Sequence, residues 1–544
     1  MQVLIADNVS RQCDAVLNAH GIETVRAVGT PRQELLAMLP NYEGMIVRSA
    51  VTVDREMIQA MPRMLAIGRA GAGVDNIDVV AATERGILVM NTPGGNTTSA
   101  AEHTLAMLMS LLRKIPAANA SIRQGKWDRK TFVGTELFGK RVGVLGLGRI
   151  GREVASRIAS FQAQIVGYDP VLSPEAVRAL GLEPTTFQEM VESCQIITIH
   201  IPLTAATRGL IGRPELARMP HGSFIINCAR GGIVDEAALL EALNSGQIAG
   251  AALDVFSTEP PTFPAALMDH PNVVATPHIA ASTHEAQERV AVDIAVQMAE
   301  FFEGLGARGV VNANGMEDCL MSAARPMMRA TRLLGRLLAQ LGGPNASHFN
   351  LIAHGPDATQ IMQGLEAALL TGVMCQRQSG AVNEINAARI AAAAGITVEA
   401  VGEGEHPRYQ TLIAAEVVAA SDHDGNQDGD EDDGHEGGQS HHAAVTLFGR
   451  DDVRLVMLDN LWLDVVLSGV LLLIRGTDRP GALAAMGGAL AQQNINISDV
   501  SLGRCQDSGD AVTVIRIDGD VSPEALDALR NLPVVQTVKV VRMG

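Results

Sequence analysis

"KRVGVLGLGRIGREVASRIASF", Lys140 to Phe161, runs an aliphatic stretch into three glycines and then into a helical pattern. Gly146, Gly148 and Gly151 stand in G-x-G-x-x-G spacing. That spacing gains meaning when it follows a strand and opens a helix, as it does here. Gly146 permits the tight turn, Gly148 lets a pyrophosphate approach the backbone, and Gly151 lets helix and strand pack closely. The anion then rests on the unpaired N–H groups of the helix N-terminus. The next apolar run ends "IVGYDP", eighteen residues beyond Gly151 at Asp169. A carboxylate there accepts hydrogen bonds from the ribose hydroxyls and repels a 2′-phosphate, so NAD is the expected cofactor.

Outward from this stretch, "CQIITIHIPL", "GSFIINCARGG" and "AGAALDVF" alternate with helical patterns, which predicts a parallel sheet. "VLIAD", "GMIVRSA", "MLAIGRAGAG" and "GILVMNTPG" predict a second α/β unit at the N-terminus. "SAAEHTLAMLMSLLRKIPAANASIRQG" reads as one long helix, with Ser99 and Glu102 spaced as a capping box. "TPHIAASTHEAQERVAVDIAVQMAEFFEG" reads as another, running to about Gly304. The expected fold class is α/β: a Rossmann-type nucleotide unit over 99–280 and a discontinuous flavodoxin-like substrate unit over 1–98 and 281–314. A small α+β unit over 315–455 and a ferredoxin-like β-α-β-β-α-β unit over 470–544 complete it. Residues 421–442 hold eight acids, four histidines and five glycines with no Lys or Arg. A disordered, solvated loop is expected there, since nothing fixes a metal geometry.

The 544 residues exceed what one core serves, and 47% hydrophobic with 3% aromatic content means aliphatic cores. The net charge of -18 argues against nucleic acid and anionic membrane as partners. Six scattered cysteines without a CxxC pair exclude a disulfide scaffold or structural zinc and suit a reducing cytoplasm. The opening "MQVLIADNVS" lacks a signal-peptide pattern, and "LWLDVVLSGVLLLI" is too short and carries Asp464, so no membrane segment is expected.

Oxidising an alcohol requires a base for its proton and a cation for the substrate. Glu259 precedes Pro260 in "DVFSTEPP", so it is held in extended geometry. The nearby histidines are His270, His278 and His284, and His278, in "VVATPHIAAS", follows an apolar strand where α/β proteins bind ligands. Arg230 ends another strand in "INCARGGIVDE" and offers a planar fork for a carboxylate. "GLGRIG", "NCARGGIVDEAALLEAL", "ALDVFSTEP" and "TPHIAAST" together resemble the D-isomer-specific 2-hydroxyacid dehydrogenases, in that family's order and spacing. The resemblance implies a catalytic Arg230, Glu259 and His278, with Glu259 holding His278. It also implies cofactor contacts at Arg149, Ile150, Pro202, Cys228 and Asp254.

Further segments resemble the long members of the family that act on 3-phosphoglycerate. Arg48 in "VRSAVTV" and Arg69 in "GRAGAGVDNID" match positions that hold a phosphorylated substrate, and Asn96 in "NTPGGNTTSAAEHT" matches a substrate-contacting loop. "GKWDRKTFVGTEL" resembles a dimer-crossing segment, which implies that Arg129 and Lys130 reach a neighbouring subunit's site in a homo-oligomer. "LLLIRGTDRPGALAAMGGALAQQNINISDVSLGR" resembles an ACT domain, with Asp478 and Asn496 as effector contacts and L-serine as the candidate effector. Gly476 stands where several serine-sensing relatives carry a ligand-touching side chain, so sensor and dimer interface both stay open. "AVNEINAARIAAAAGITVE" resembles the intervening domain of the long enzymes. NAD-dependent oxidation of 3-phosphoglycerate, opening serine synthesis, is the implied activity, with no metal. The rivals are a dehydrogenase for 2-hydroxyglutarate or glycerate and an NAD-sensing corepressor-like protein.

Overall fold

The computed structural model describes residues 1–262, 266–313, 315–378, 380–418, 440–449, 452–505 and 509–543. The first sheet is built from β1 (Gln2–Ile5), β2 (Glu23–Arg26), β3 (Gly44–Val47), β4 (Ala66–Arg69) and β5 (Leu88–Asn91). All pairs are parallel, in the flavodoxin-like order β2-β1-β3-β4-β5. β2 is not among the expected strands, because "ETVR" is an edge strand with two charges and no fully buried side chain.

The second sheet contains β6 (Arg141–Leu145), β7 (Gln164–Tyr168), β8 (Glu183–Pro184), β9 (Ile196–Ile199), β10 (Ser223–Asn227), β11 (Ile248–Leu253) and β12 (Val273–Ala275). Its order, β12-β11-β10-β9-β6-β7-β8, reverses direction between β6 and β9, the crevice where doubly wound sheets bind ligands. The inner strands β6, β9, β10 and β11 are buried on both faces, as their aliphatic runs require.

The expected helix over 99–125 is two helices, α1 (Thr97–Leu112) and α2 (Ile115–Arg123). Lys114 turns left-handed between them at φ 51°, and Pro116 sits in the first turn of α2, where its missing N–H costs nothing. Ser99 is no cap: it lies inside α1, and its Oγ bonds Thr283 Oγ1 at 2.8 Å. The serine-to-glutamate spacing of a capping box also recurs by chance inside a helix. α3 (Arg149–Ala159) follows the glycine triplet, and α4 (His284–Glu303) is the return helix. It starts at His284 rather than Thr276, because the Thr283 hydroxyl caps Ala286 N and His278 itself has φ 51°. Ile294, Met298 and Phe302 of α4 lie where side chains at Gly44 and Gly68 would be, so these glycines let the helix settle on the first sheet.

The third sheet combines β13 (His348–His354), β14 (Thr397–Glu403), β15 (Leu412–Val418), β16 (His441–Phe448), β17 (Asp452–Leu458) and β18 (Leu461–Val466). β13 and β14 are parallel and the other pairs antiparallel. β18 carries this unit past the expected boundary at 455, since it pairs with β17 through a tight Asp459–Asn460 turn. The acidic segment expected as a loop over 421–442 lies largely outside the described residues. His441 and His442, assigned to it, instead begin β16, where His441 is buried. The apolar run "LWLDVVLSGVLLLI" is divided between β18 and β19, turning at Gly469.

β19 (Val470–Thr477), β20 (Ile497–Arg504), β21 (Asp510–Ile517) and β22 (Val535–Arg542) form the antiparallel sheet β20-β21-β19-β22, completing the expected ferredoxin-like pattern. One face packs on the helices Ala482–Gln492 and Pro523–Arg530. The other face, including Leu471, Leu473, Val512 and Val541, joins the core of the third sheet. That core continues through α5 (Arg325–Gly342) and α4 into Val3, Ile5 and Ile46 of the first sheet. α5 also brackets the free edge of β22: Gln340 Oε1 accepts Arg542 N at 2.9 Å while its Nε2 donates to Arg542 O at 3.1 Å.

Candidate active site

The second sheet delivers the candidate residues along its C-terminal edge in strand order. Asp169 follows β7, the glycine triplet β6, Pro202 β9, Cys228 and Arg230 β10, Asp254 and Glu259 β11, and His278 β12. Gly146 turns left-handed at φ 94°, and a Cβ on Gly151 would lie 1.9 Å from Gly146 O. Gly148 caps α3 without a side-chain hydrogen bond, and nothing lies within 4 Å of where its Cβ would project. Open space over unpaired N–H groups fits a pyrophosphate. Asp169 accepts Leu147 N at 2.8 Å and Val171 N at 3.0 Å, which fixes its carboxylate beside that cradle. Burial pushes the Cys228 thiol up to about 12, so it contributes shape rather than charge. Pro202 O is engaged by the Thr207 hydroxyl at 2.7 Å. Ile150 lies in the first turn of α3, packed against the core around Val142 and Val154.

His278 and Glu259 meet. His278 Nδ1 lies 2.6 Å from Glu259 Oε2, and Glu259 Oε1 accepts Phe256 N at 3.0 Å. Partial burial works to raise the Glu259 pKa, but the His278 and Phe256 hydrogen bonds outweigh it and hold the carboxyl below its ordinary range. An ionised Glu259 places the imidazole proton on Nδ1 and leaves Nε2 available to exchange a proton with substrate. Arg230, on the neighbouring strand end, donates from Nη1 to Ala229 O at 2.7 Å and from Nε to Asp75 Oδ2 at 3.2 Å.

Asp75 belongs to the first unit, so the Arg230 contact spans the cleft. A Cβ on Gly73 would fall 2.1 Å from Arg230 Nη2 and one on Gly71 2.2 Å from Arg69 Nη1, so both arginines lie over this loop. Arg48 follows β3 on a loop pinned by Asp7, whose Oδ2 accepts Arg48 N at 2.8 Å and Ala50 N and Val51 N at 3.1 Å. Arg69 Nε and Asn76 Nδ2 both donate to Arg48 O, at 3.2 and 3.0 Å. Burial, then the Arg230 and Arg48 charges, bring the Arg69 guanidinium down to about 10, with Asp75 opposing them. A group of cations that repel one another and are partly dry is arranged for an anion.

Asn96 ends the loop before α1 with no side-chain cap, and its Oδ1 is buried without a hydrogen-bond partner, as are Thr92 Oγ1 and Thr97 Oγ1. Arg149 reaches toward the same loop, since a Cβ on Gly94 would lie 2.9 Å from its Nη1. Unsatisfied acceptors beside cations call for a polar ligand. Asp254, expected as a cofactor contact, follows β11 and anchors the loop that carries His278. It is fully buried, and its carboxylate is occupied by Thr276 Oγ1, Ile279 N and Ala280 N at 2.6 to 2.9 Å. Asp7, Asp75 and Asn76 were absent from the expected site; Asp75 and Asn76 stand in the "GRAGAGVDNID" stretch that supplied Arg69.

Arg129 and Lys130 are exposed on the segment after α2, next to Asp128, which accepts Lys130 N and Thr131 N at 3.1 and 3.3 Å. No described contact brings them to the arginine cluster. Trp127, Val133 and Phe138 beside them are 81%, 72% and 63% exposed, an apolar strip that calls for cover. In the last unit, Asp478 lines a cavity of about 400 Å³ with Thr477, Arg479, Arg504 and Thr513, and Arg504 Nε lies 3.4 Å from Asp478 Oδ2. Asn496 is not on that cavity: its Nδ2 donates to Asp518 at 2.6 Å instead. Gly476 borders the cavity, and any Cβ there would stand 1.9 Å from Val534 O, so the backbone itself excludes a side chain.

The family model "D-isomer specific 2-hydroxyacid dehydrogenase, NAD binding domain" matches residues 105–280, "D-3-phosphoglycerate dehydrogenase intervening domain" residues 323–427, and "ACT domain" residues 470–534. D-3-phosphoglycerate dehydrogenase of Archaeoglobus fulgidus is 37% identical over 534 residues, 98% of either chain. The enzyme of that name from Bacillus subtilis is 35% identical over 99% of both, and that of Homo sapiens 43% identical over 77% of this chain and 79% of its own. Among solved structures, the TT0316 protein of Thermus thermophilus aligns at a TM-score of 0.53 and 32% identity, covering 57% of this chain and all of its own. A glyoxylate reductase from Paecilomyes thermophila gives 0.53 and 31%, over 57% and 98%.

Proposed function

The chain belongs to the D-3-phosphoglycerate dehydrogenase family, and from that premise we propose that Arg230, Glu259 and His278 are its catalytic residues. The protein is an NAD-dependent oxidoreductase that converts 3-phospho-D-glycerate to 3-phosphohydroxypyruvate, opening L-serine biosynthesis. NAD, when bound, supplies the acceptor for the C2 hydride. His278 Nε2 takes the C2 hydroxyl proton, while the Nδ1–H to Glu259 bond at 2.6 Å stabilises the resulting imidazolium. Arg230 exchanges Asp75 for the substrate carboxylate. Arg48 and Arg69 hold the phosphate from the opposite side, with Asn96 supplying an acceptor inside the cleft.

The observation that carries this reading is the His278–Glu259 contact beside Arg230, opposite a partly buried pair of further arginines. A general 2-hydroxyacid dehydrogenase needs the first set but not the second. The exposed Trp127–Phe138 strip supports a homo-oligomer in which Arg129 and Lys130 serve a neighbouring subunit. Among the described residues no helix is long and apolar enough to cross a membrane, and we place the enzyme in the cytoplasm. The cavity at Asp478 and Arg504 supports small-molecule regulation through the ACT unit, with L-serine as the candidate. The test is NADH oxidation by purified full-length protein with 3-phosphohydroxypyruvate, hydroxypyruvate or 2-oxoglutarate, each with and without L-serine. Preference for the phosphorylated ketoacid is expected. Equal rates on all three would overturn the assignment of Arg48 and Arg69.

A further inference from the structure

Behind the loop that carries His278 lies a second histidine–carboxylate contact. His103, on α1, places Nε2 3.2 Å from Asp254 Oδ1 and 3.2 Å from Thr276 Oγ1. Its side chain is 17% exposed and that of Asp254 not exposed at all. Asp254 in turn holds the loop. Oδ1 accepts Thr276 Oγ1 at 2.6 Å and Ile279 N at 2.9 Å, while Oδ2 accepts Ala280 N at 2.9 Å. The residue enclosed by these bonds is His278, left-handed at φ 51°. A non-glycine residue keeps that conformation only when its surroundings over-determine it.

Burial works against an ionised Asp254, and His103, Thr276 and the two N–H groups overcome it and keep the carboxyl below its ordinary range. With the Thr276 hydroxyl donating to Asp254, Nε2–H of His103 pairs with both oxygens. One helical turn earlier on α1, Ser99 Oγ meets Thr283 Oγ1 at 2.8 Å, and Thr283 caps α4. Residues i and i+4 share a helix face. Both ends of the loop 276–283 are therefore fastened to one face of α1, the helix that leaves the first sheet and carries Asn96 at its start.

We propose that His103 is a positioning residue for the reaction: through Asp254 and Thr276 it fixes the loop that aims the His278 imidazole. This rests on the reading of His278 as catalytic. His103 touches no reacting atom, and its effect belongs on turnover rather than on cofactor affinity. It also makes α1 the common reference for Asn96, on the substrate side, and His278, on the chemical side.

The experiment compares full-length wild type with His103→Ala, His103→Gln and His278→Asn in the reduction of 3-phosphohydroxypyruvate, with NADH binding by fluorescence titration and melting temperature. His103→Ala should lower kcat about tenfold or more, since displacing a reacting group by ~1 Å costs up to ~100-fold. Its NADH affinity should stay within about threefold. His103→Gln, whose Nε2 donor reaches a similar place, should recover at least about a third of kcat. Unchanged kcat in His103→Ala overturns the proposal. So does a loss spread equally over kcat, NADH binding and melting temperature that Gln fails to relieve, which would make His103 a packing residue. Full turnover by His278→Asn would instead refute the catalytic reading, a separate failure.

Discussion

Arg69→Met tests the arginine cluster from two sides. Burial and the neighbouring Arg230 and Arg48 charges bring the Arg69 guanidinium from 12.5 to about 10. At about 1.4 kcal/mol per pKa unit that is about 3 kcal/mol against the charged form, and screening by water in the cleft reduces it to about half. A base whose folded pKa is depressed is charged in both folded and unfolded states at neutral pH, so the folded state carries this penalty at every pH below about 10. Methionine removes the penalty and also the Nε bond to Arg48 O, worth about 1 kcal/mol. The ligand-free variant should thus be as stable as wild type or slightly more so. Its catalysis should suffer: a charge-assisted contact to phosphate contributes about 1.5–3 kcal/mol, or roughly 10- to 150-fold in kcat/KM. The assay is steady-state NADH oxidation with 3-phosphohydroxypyruvate and hydroxypyruvate side by side. Only the phosphorylated substrate should lose, collapsing the ratio of the two kcat/KM values. Equal losses on both substrates, or an unchanged ratio, would refute the reasoning.

Glu259→Gln should reduce stability by an amount that depends on pH. The depressed carboxyl contributes fully above its ordinary value of 4.5 and less as pH falls through its folded value, so the gap to wild type in denaturant should narrow only below that range. A gap that stays constant all the way to acid unfolding would contradict the ion pair. Asp169→Ala should cut kcat/KM for NAD by about ten- to a hundredfold while changing NADP use far less, since one charged hydrogen-bond acceptor is lost; parallel losses on both cofactors would reject the ribose assignment. Gly476→His should lower the melting temperature of the last unit, because Val534 O stands 1.9 Å from the new Cβ. An unchanged melting curve would show that the strand can shift.

The nucleotide sheet was legible because parallel strands covered on both faces must be continuous aliphatic runs, and the glycine triplet fixes where one of them ends. Arg230, Glu259 and His278 stood out as candidates for a related reason: each follows such a run. β2 was not, since an edge strand with an exposed Glu23 and a half-buried Arg26 lacks that signature. Asp75 was missed because its partner Arg230 lies 155 residues away on the other unit, and the approach of two sheets leaves no local periodicity. Asn496 shows the converse. A motif identified its position just before β20 begins, while its contact with Asp518, 22 residues on, has no local signature.

The apolar core that runs from Val3 through α4 and α5 to Met543 divides the molecule differently from its sequence modules. Counted by cores, the chain is a clamp with two jaws. One is the nucleotide sheet with its own separate interiors; the other welds the substrate sheet, the third sheet and one face of the last sheet together. A small molecule that strained the Asp478 cavity would load one continuous apolar core rather than a string of beads, and Arg48 and Arg69 stand at the far end of it.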